Sequence, residues 1–290
     1  MGEATIRIGL SGWAYPPWRG GFYPTGLRQA DELAYVASRF DALEINATFY
    51  GLKRPETFRR WRAAVPPRFP LAVKAPKYIT HELRLADAAT PLANFLASGL
   101  LALGPNLGPI LWQLPPSLPF DPARLEVFLS LLPQDPEDAL ALARRHDGHV
   151  AGHVFLEDEG LPPLRHALEV RHESFRDPRF VQLLRRFDVA LVLADTPDYP
   201  RLFDRTADFT YVRLHGDREL YVSGYDEPAL DLWADRLKRI ARGRSGRLGR
   251  ATGRGYGAAI GDFRLLRQHP ARASRACRCA GAQDEIMKDS

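Results

Sequence analysis

Side chains able to do acid–base or anion-binding chemistry recur at the ends of apolar runs along this chain. Glu44 and Asn46 fall in Leu43–Tyr50, Lys74 follows Leu71-Ala72-Val73, and Gln113 precedes Pro115-Pro116; further on come Glu169 with Arg171, then Asp195, then Arg213 with His215. Paired carboxylates with a lysine and a histidine supply general acid and base, and arginines hold a carboxylate or phosphate. The residue types therefore predict Glu169 and Glu44 as an acid/base pair, with Lys74 beside them and His215 as a proton carrier. Arg171 and Arg213 are the expected anion clamps, and Asn46, Gln113 and Asp195 the expected substrate-binding groups. The competing reading is a ring of salt bridges, Glu169 with Arg213 or Asp195 with Arg171, satisfying one another at one end of the fold. A purely structural ring rarely needs so many buried charges.

Aromatic residues surround these positions. Trp13, Tyr15 and Trp18, followed by Phe22-Tyr23-Pro24, occupy a Gly- and Pro-containing loop that is stiff and costs little entropy to order. It suits a ligand wall; an aromatic mini-core closing one end of a barrel is the alternative. Trp13, Tyr15, Tyr50 and His81 join the expected substrate-binding set on this basis. A divalent metal held by Glu44, Glu169, Asp195 and His215 is a weaker alternative, because no His-x-x-x-His or clustered Asp motif accompanies those residues.

Positioning such groups requires strands. Seven strand-like runs fall at about 5–10, 42–47, 69–75, 109–114, 166–171, 189–195 and 209–215, mostly separated by helix-like segments. Asp121-Pro122, Asp135-Pro136 and Asp177-Pro178 each pair a capping residue with proline at a first helical position. Residues 146–163 are polar and glycine-containing and read as a surface excursion. Alternating strands and helices imply a parallel sheet, and seven strands with an eighth expected imply an α/β (β/α)8 TIM-like barrel. Its site lies at the C-terminal strand ends, where the ionisable residues fall. No Gly-x-Gly-x-x-Gly or P-loop follows any strand, which leaves a doubly wound nucleotide-binding fold without support.

The periodicity stops after Ile240, where the eighth strand belongs, so that strand is expected to be missing or degraded. Residues 1–241 form the expected barrel domain and 242–290 an atypical Arg/Gly/Ala-rich tail, expected to be disordered or poorly packed. The chain's net charge of +5 comes from that tail. From Arg242 onward there are 11 Lys+Arg against 4 Asp+Glu, leaving 29 against 31 before it. A near-neutral body disfavours extensive nucleic-acid contact, so the expected partner is a small anionic or sugar-like molecule, and no cofactor is expected. Cys277 and Cys279 lack the partners of a zinc site. With no leader-like N-terminus and no membrane-length apolar segment, a cytoplasmic protein is expected.

Gly12-Trp13 with Tyr15 and Trp18, Phe22-Tyr23-Pro24, Glu44-x-Asn46-x-Thr48-Phe49-Tyr50, Lys74, Thr80-His81, Gly104-Pro105, Gln113-Leu114-Pro115-Pro116, Glu169-x-Arg171, Asp195 and Tyr211-x-Arg213-x-His215-Gly216 resemble the YecE-like proteins. This is a prokaryotic family known as domain of unknown function seventy-two. The resemblance covers roughly residues 5–240 and implies a TIM barrel; it implies no established activity. The family usually ends with a strand carrying Tyr-x-Phe-Asn/Asp-Asn, which this sequence lacks in frame. One permitted codon spelling of Arg264–His269, read one nucleotide later, gives Ala-Tyr-Phe-Asp-Asn-Thr, so the tail is expected to be a frame-shifted eighth unit.

Overall fold

The computed structural model describes residues 5–196, 198–215 and 225–241 and the backbone of 257–261. Seven parallel strands curl into a TIM-like barrel with helices between them. The strands are β1 Ile6–Ser11, β2 Ala42–Ile45, β3 Leu71–Lys74, β4 Leu107–Gln113, β5 His166–Glu169, β6 Ala190–Asp195 and β7 Thr210–Leu214. The gap between β7 and β1 is bridged by a short strand, β8, Gly257–Gly261, which pairs in parallel with both. The eighth strand is thus degraded rather than absent. Its sequence, Gly-Ala-Ala-Ile-Gly, brings no ionisable or hydrogen-bonding side chain. The barrel also reaches past residue 241, the boundary expected from the sequence. Residues 242–256 and 262–290, including the segment 264–269 of the frame-shift expectation, lie outside the described residues.

The helices are α1 Glu32–Ala37, α2 Pro55–Ala63, α3 Ala89–Ala97, α4 Pro122–Ser130, α5 Pro136–Ala143, α6 Pro178–Arg186 and α7 Glu227–Ala241. Proline opens α2, α4, α5 and α6, where its missing N–H costs nothing, and the Asp121 and Asp177 carboxylates cap α4 and α6 by accepting from Arg124 N and Arg179 N.

Strand alternation sorts the side chains into two layers. Ala72, Leu111, Ala167, Ala190, Val192 and Tyr211 form the filled barrel interior. Leu43, Ile45, Leu71, Val73, Ile110, Trp112 and Leu168 face outward into the helix layer. On that outer side Trp112 donates to His166 Nδ1 at 3.2 Å, and His166 Nε2 lies 2.7 Å from the Pro133 carbonyl. A ring that accepts at one nitrogen and donates at the other is neutral, and burial pushes its pKa down to about 4.

Residues 146–163 run over the surface as expected, but the segment is anchored to the barrel's outer layer. Val150, Phe155 and Leu161 are buried, Phe155 N donates to Ala97 O at 2.8 Å, and Glu159 pairs with Arg62 of α2. The apolar residues are too widely spaced there to read as an element, yet each finds the outer layer. No helix among the described residues is long and apolar enough to cross a membrane.

Candidate functional site

The register that sets β1 against β2 places Ser11 beside Glu44, and the register of β4 and β5 places Gln113 beside Glu169. All four side chains share the inward face at the C-terminal ends of their strands. Tyr211 and Arg213, two apart on β7, share it as well, and His215 follows two residues later. Lys74 completes the set at the end of β3, two residues after the inward Ala72. Period-two alternation, applied at one end of a closed sheet, thus gathers charges distant in sequence.

Arg213 is the hub. Its Nε and Nη2 donate to Glu44 Oε2 and Oε1 at 3.1 and 2.8 Å, and its Nη1 donates to Glu169 Oε2 at 2.5 Å. Glu44 also accepts from the Ser11 hydroxyl at 2.7 Å and from the Tyr211 hydroxyl at 2.8 Å. Glu169 Oε1 accepts from Gln113 Nε2 and from Arg171 Nε, both at 2.8 Å. Asn46 Nδ2 donates to Ser11 Oγ at 2.9 Å and so orients the hydroxyl that holds Glu44. Both carboxylates and Arg213 are buried.

Burial pushes the Glu44 carboxyl up, but Arg213, the Ser11 hydroxyl and Lys74 outweigh it and hold its pKa below the ordinary value. For Glu169 burial acts the same way and loses by more, because Arg213 and Arg171 both face it; its pKa falls well below the ordinary value. Both groups are therefore carboxylates at neutral pH, with their oxygens engaged. His215 Nε2 lies 3.3 Å from Arg213 Nη1. A guanidinium only donates, so the imidazole accepts there and is neutral. Burial and then Arg213 lower its pKa accordingly.

Lys74 is different. Its backbone carbonyl is fixed by the Thr48 hydroxyl at 2.7 Å, while its ammonium nitrogen sits 4.0 Å from the centre of the Phe49 ring. No hydrogen bond or ion pair to that nitrogen is formed among the described residues. Burial lowers its pKa, Arg213 lowers it further, and Glu44 and Glu169 oppose them; the result is about 8. A cation–π contact favours the ammonium by only about 0.5–2 kcal/mol, less than the drop to about 8 represents at roughly 1.4 kcal/mol per unit.

Beside Phe49 stands His81, its ring edge-on at 5.1 Å. His81 Nδ1 lies 2.8 Å from Thr80 Oγ1, on a π-helical turn, Tyr78–Glu82, that follows β3. Burial, then Lys74 and Arg171, lower its pKa. Tyr50 packs edge-on to Phe49 and is 75% exposed, at the rim. Arg171 lies over the Tyr199 ring at 4.7 Å.

Three expected site residues, Asp195, Trp13 and Tyr15, are placed elsewhere. Asp195 belongs to the outer layer, because Val192 and Ala190 take the inward positions of β6 and odd-numbered Leu193 and Asp195 face α7. Its Oδ2 accepts from Trp233 Nε1 and Tyr225 Oη, both at 2.9 Å, and Oδ1 lies 3.5 Å from Arg201 Nε. The pairing of Asp195 with Arg171 does not form; Arg171 pairs with Glu169 instead. Trp13 stacks edge-on against Trp61 of α2, and Trp18, Phe22, Tyr23, Tyr35 and Phe40 pack on one another. The loop is thus an aromatic mini-core, with the Tyr15 hydroxyl donating to Ser11 O and the Tyr23 hydroxyl to Trp13 O, both at 2.6 Å. It opens at Gly12, whose φ of +82° disfavours a side chain, and a Cβ there would approach the Tyr15 hydroxyl to 2.7 Å.

Ser11, Thr48, Phe49 and Tyr211 belong to the site and are not among the catalytic and substrate-binding residues expected from the sequence. Tyr211 was within reach, since it stands two before Arg213 on the same face. The four-ligand metal set does not assemble, because Asp195 faces the wrong layer and Arg213 occupies the position between Glu44 and Glu169. The described residues contain no group of three or more His, Cys, Asp or Glu spaced to hold a metal ion.

Comparison with known proteins agrees with the barrel fold. Over 131 residues the chain is 32% identical to the UPF0759 protein YecE of Escherichia coli, a match covering 44% of each protein, so it spans less than half of that relative's length. A DUF72 family protein of Thermotoga maritima has a similar structure, with a TM-score of 0.69 and 21% identity over 97% of this chain and 99% of that one. A DUF72 family protein of Enterococcus faecalis gives 0.60 and 15% identity over 94% of each. Residues 7–267 match the family model described as protein of unknown function DUF72, and the chain belongs to that family.

Proposed function

We propose that this protein is an enzyme acting by acid–base chemistry on a small anionic or sugar-like substrate at the mouth of the barrel. One observation carries the reading: among the described residues the cluster holds three cations, Arg171, Arg213 and Lys74, against two carboxylates, Glu44 and Glu169, and the surplus charge is the Lys74 amine. An excess positive charge in a partly buried site favours an anion. Arg213, engaged on three nitrogens, serves as a fixed platform, whereas Arg171 and Lys74 stand nearer the rim.

The role first expected of Glu44 and Glu169 passes to Lys74 in this reading. A general acid or base is most effective when it titrates near the working pH. Both carboxyls titrate well below it and are immobilised, while Lys74 titrates at about 8. Glu44 and Glu169 then set the field that tunes the amine, and neutral His215 and His81 are available to relay protons.

A thermal-shift screen of phosphate, small carboxylates, sugar phosphates and neutral sugars tests this. A bound anion at about ten times its Kd should raise the melting temperature by about 3–6 °C. Arg171→Leu should abolish the rise. A panel in which no anion or sugar shifts the wild-type protein, or in which Arg171→Leu responds as the wild type does, rejects the reading.

A further inference from the structure

We propose that Lys74 is a nucleophile that condenses with the carbonyl carbon of a small anionic aldehyde or ketone, forming an imine at the barrel mouth. The inference rests on the anion-binding reading above and gives its substrate a reactive group.

Composition gives the first support. The chain has 35 arginines and only five lysines: Lys53, Lys74, Lys77, Lys238 and Lys288. Both other cations of the site are arginines. A guanidinium holds an anion at least as well as an ammonium, but it cannot shed its proton to attack carbon. A lysine at this position supplies what arginine cannot.

Geometry gives the second. The Lys74 nitrogen has no hydrogen bond or ion pair among the described residues and lies against the face of Phe49, so its lone pair, once free, is not committed elsewhere. Lys77, by contrast, is about half exposed and lies 3.3 Å from Glu82. Thr48 pins the Lys74 carbonyl and so fixes where the side chain leaves the strand. With the group titrating at about 8, roughly a tenth of it is the free amine at pH 7.

In the reaction, the amine nitrogen forms a bond to the carbonyl carbon, giving a carbinolamine. The carbonyl oxygen then leaves as water, taking with it both protons of the original amine, and a C=N bond remains. Protonation of that nitrogen draws electrons from the adjacent carbon, which is the activation needed for proton abstraction or carbon–carbon cleavage next to a carbonyl. Hydrolysis reverses the step and restores the amine. Arg171 would receive the substrate's carboxylate or phosphate.

The test is reductive trapping of the full-length protein with glyoxylate and with glyceraldehyde 3-phosphate in the presence of borohydride, followed by intact-mass and peptide analysis. The expected result is one adduct, on Lys74, formed at least about tenfold faster than on any other lysine, as the difference in free-amine fraction requires. Lys74→Arg should be unlabelled while its circular dichroism spectrum stays that of a folded barrel. Even labelling of the lysines, or labelling that survives Lys74→Arg, overturns the imine. So does the absence of an adduct when anions still raise the melting temperature, and in that case the anion-binding reading stands. If neither adduct nor thermal shift is found, both readings fall together.

Discussion

Arg213 grips Glu44 through two nitrogens, and the same guanidinium reaches Glu169 with its third, so one side chain bridges two buried carboxylates from distant parts of the sequence. Removing a member of such a group leaves charge stranded without water.

Arg213→Met is therefore expected to destabilise the protein by about 3–5 kcal/mol, and Arg213→Met combined with Glu44→Gln by less than that. Urea denaturation of the single and double variants measures both. The pH dependence has a definite sign. Glu44 and Glu169 have folded-state pKa values below their ordinary one, so their contribution is fully present above about pH 4.5 and is lost as pH falls through the folded values. In Arg213→Met this acid limb should move to higher pH, and an unchanged limb would exclude Arg213 as its cause.

Lys74 works in the opposite sense. Its folded pKa, about 8, lies below the unfolded value of 10.5, so holding the ammonium in the fold opposes stability below pH 8, and stability recovers as pH rises from 8 towards 10.5. Lys74→Met should raise stability at pH 7 by about 1–3 kcal/mol, with the gain vanishing above about pH 10.5. Denaturation curves collected across that interval decide it, and a gain independent of pH would point to packing instead.

Asp195 is expected to matter for α7 and not for the site. Asp195→Ala leaves the buried donors of Trp233 and Tyr225 without their acceptor, which should cost about 2–4 kcal/mol. Hydrogen exchange should show α7 losing protection, while the thermal shift produced by bound anions stays as in the wild type. Loss of that shift would return Asp195 to the binding site.

The eighth strand yields a prediction about the gene. Six of the other seven strands end in or lead into a polar side chain directed at the mouth, whereas Gly257–Gly261 supplies none. If the tail is frame-shifted, the nucleotide sequence around Arg264–His269 read one base later should encode Ala-Tyr-Phe-Asp-Asn-Thr without an early stop. The restored protein should melt higher than the present one by several degrees, given about 2–4 °C per kcal/mol. A stop codon in that frame ends the idea.

The sequence alone determined the order of strands and helices, the barrel and the family, because apolar runs, Asp-Pro helix starts and strand-end polar residues are local signals that survive without tertiary context. It also brought Glu44, Lys74, Glu169, Arg171 and Arg213 to one mouth. What it could not determine was which way a side chain points on a strand covered on both faces. In Ala190–Asp195 every residue but the last is apolar, so neither face is marked, and only the barrel's register turns Asp195 towards Trp233. The division of labour among the charges was equally out of reach. Arg213 became the hub, and Lys74 an amine without an ion pair among the described residues, because partners from β1, β2, β5 and β7 converge to within hydrogen-bonding distance, and those distances exist only once the sheet has curled.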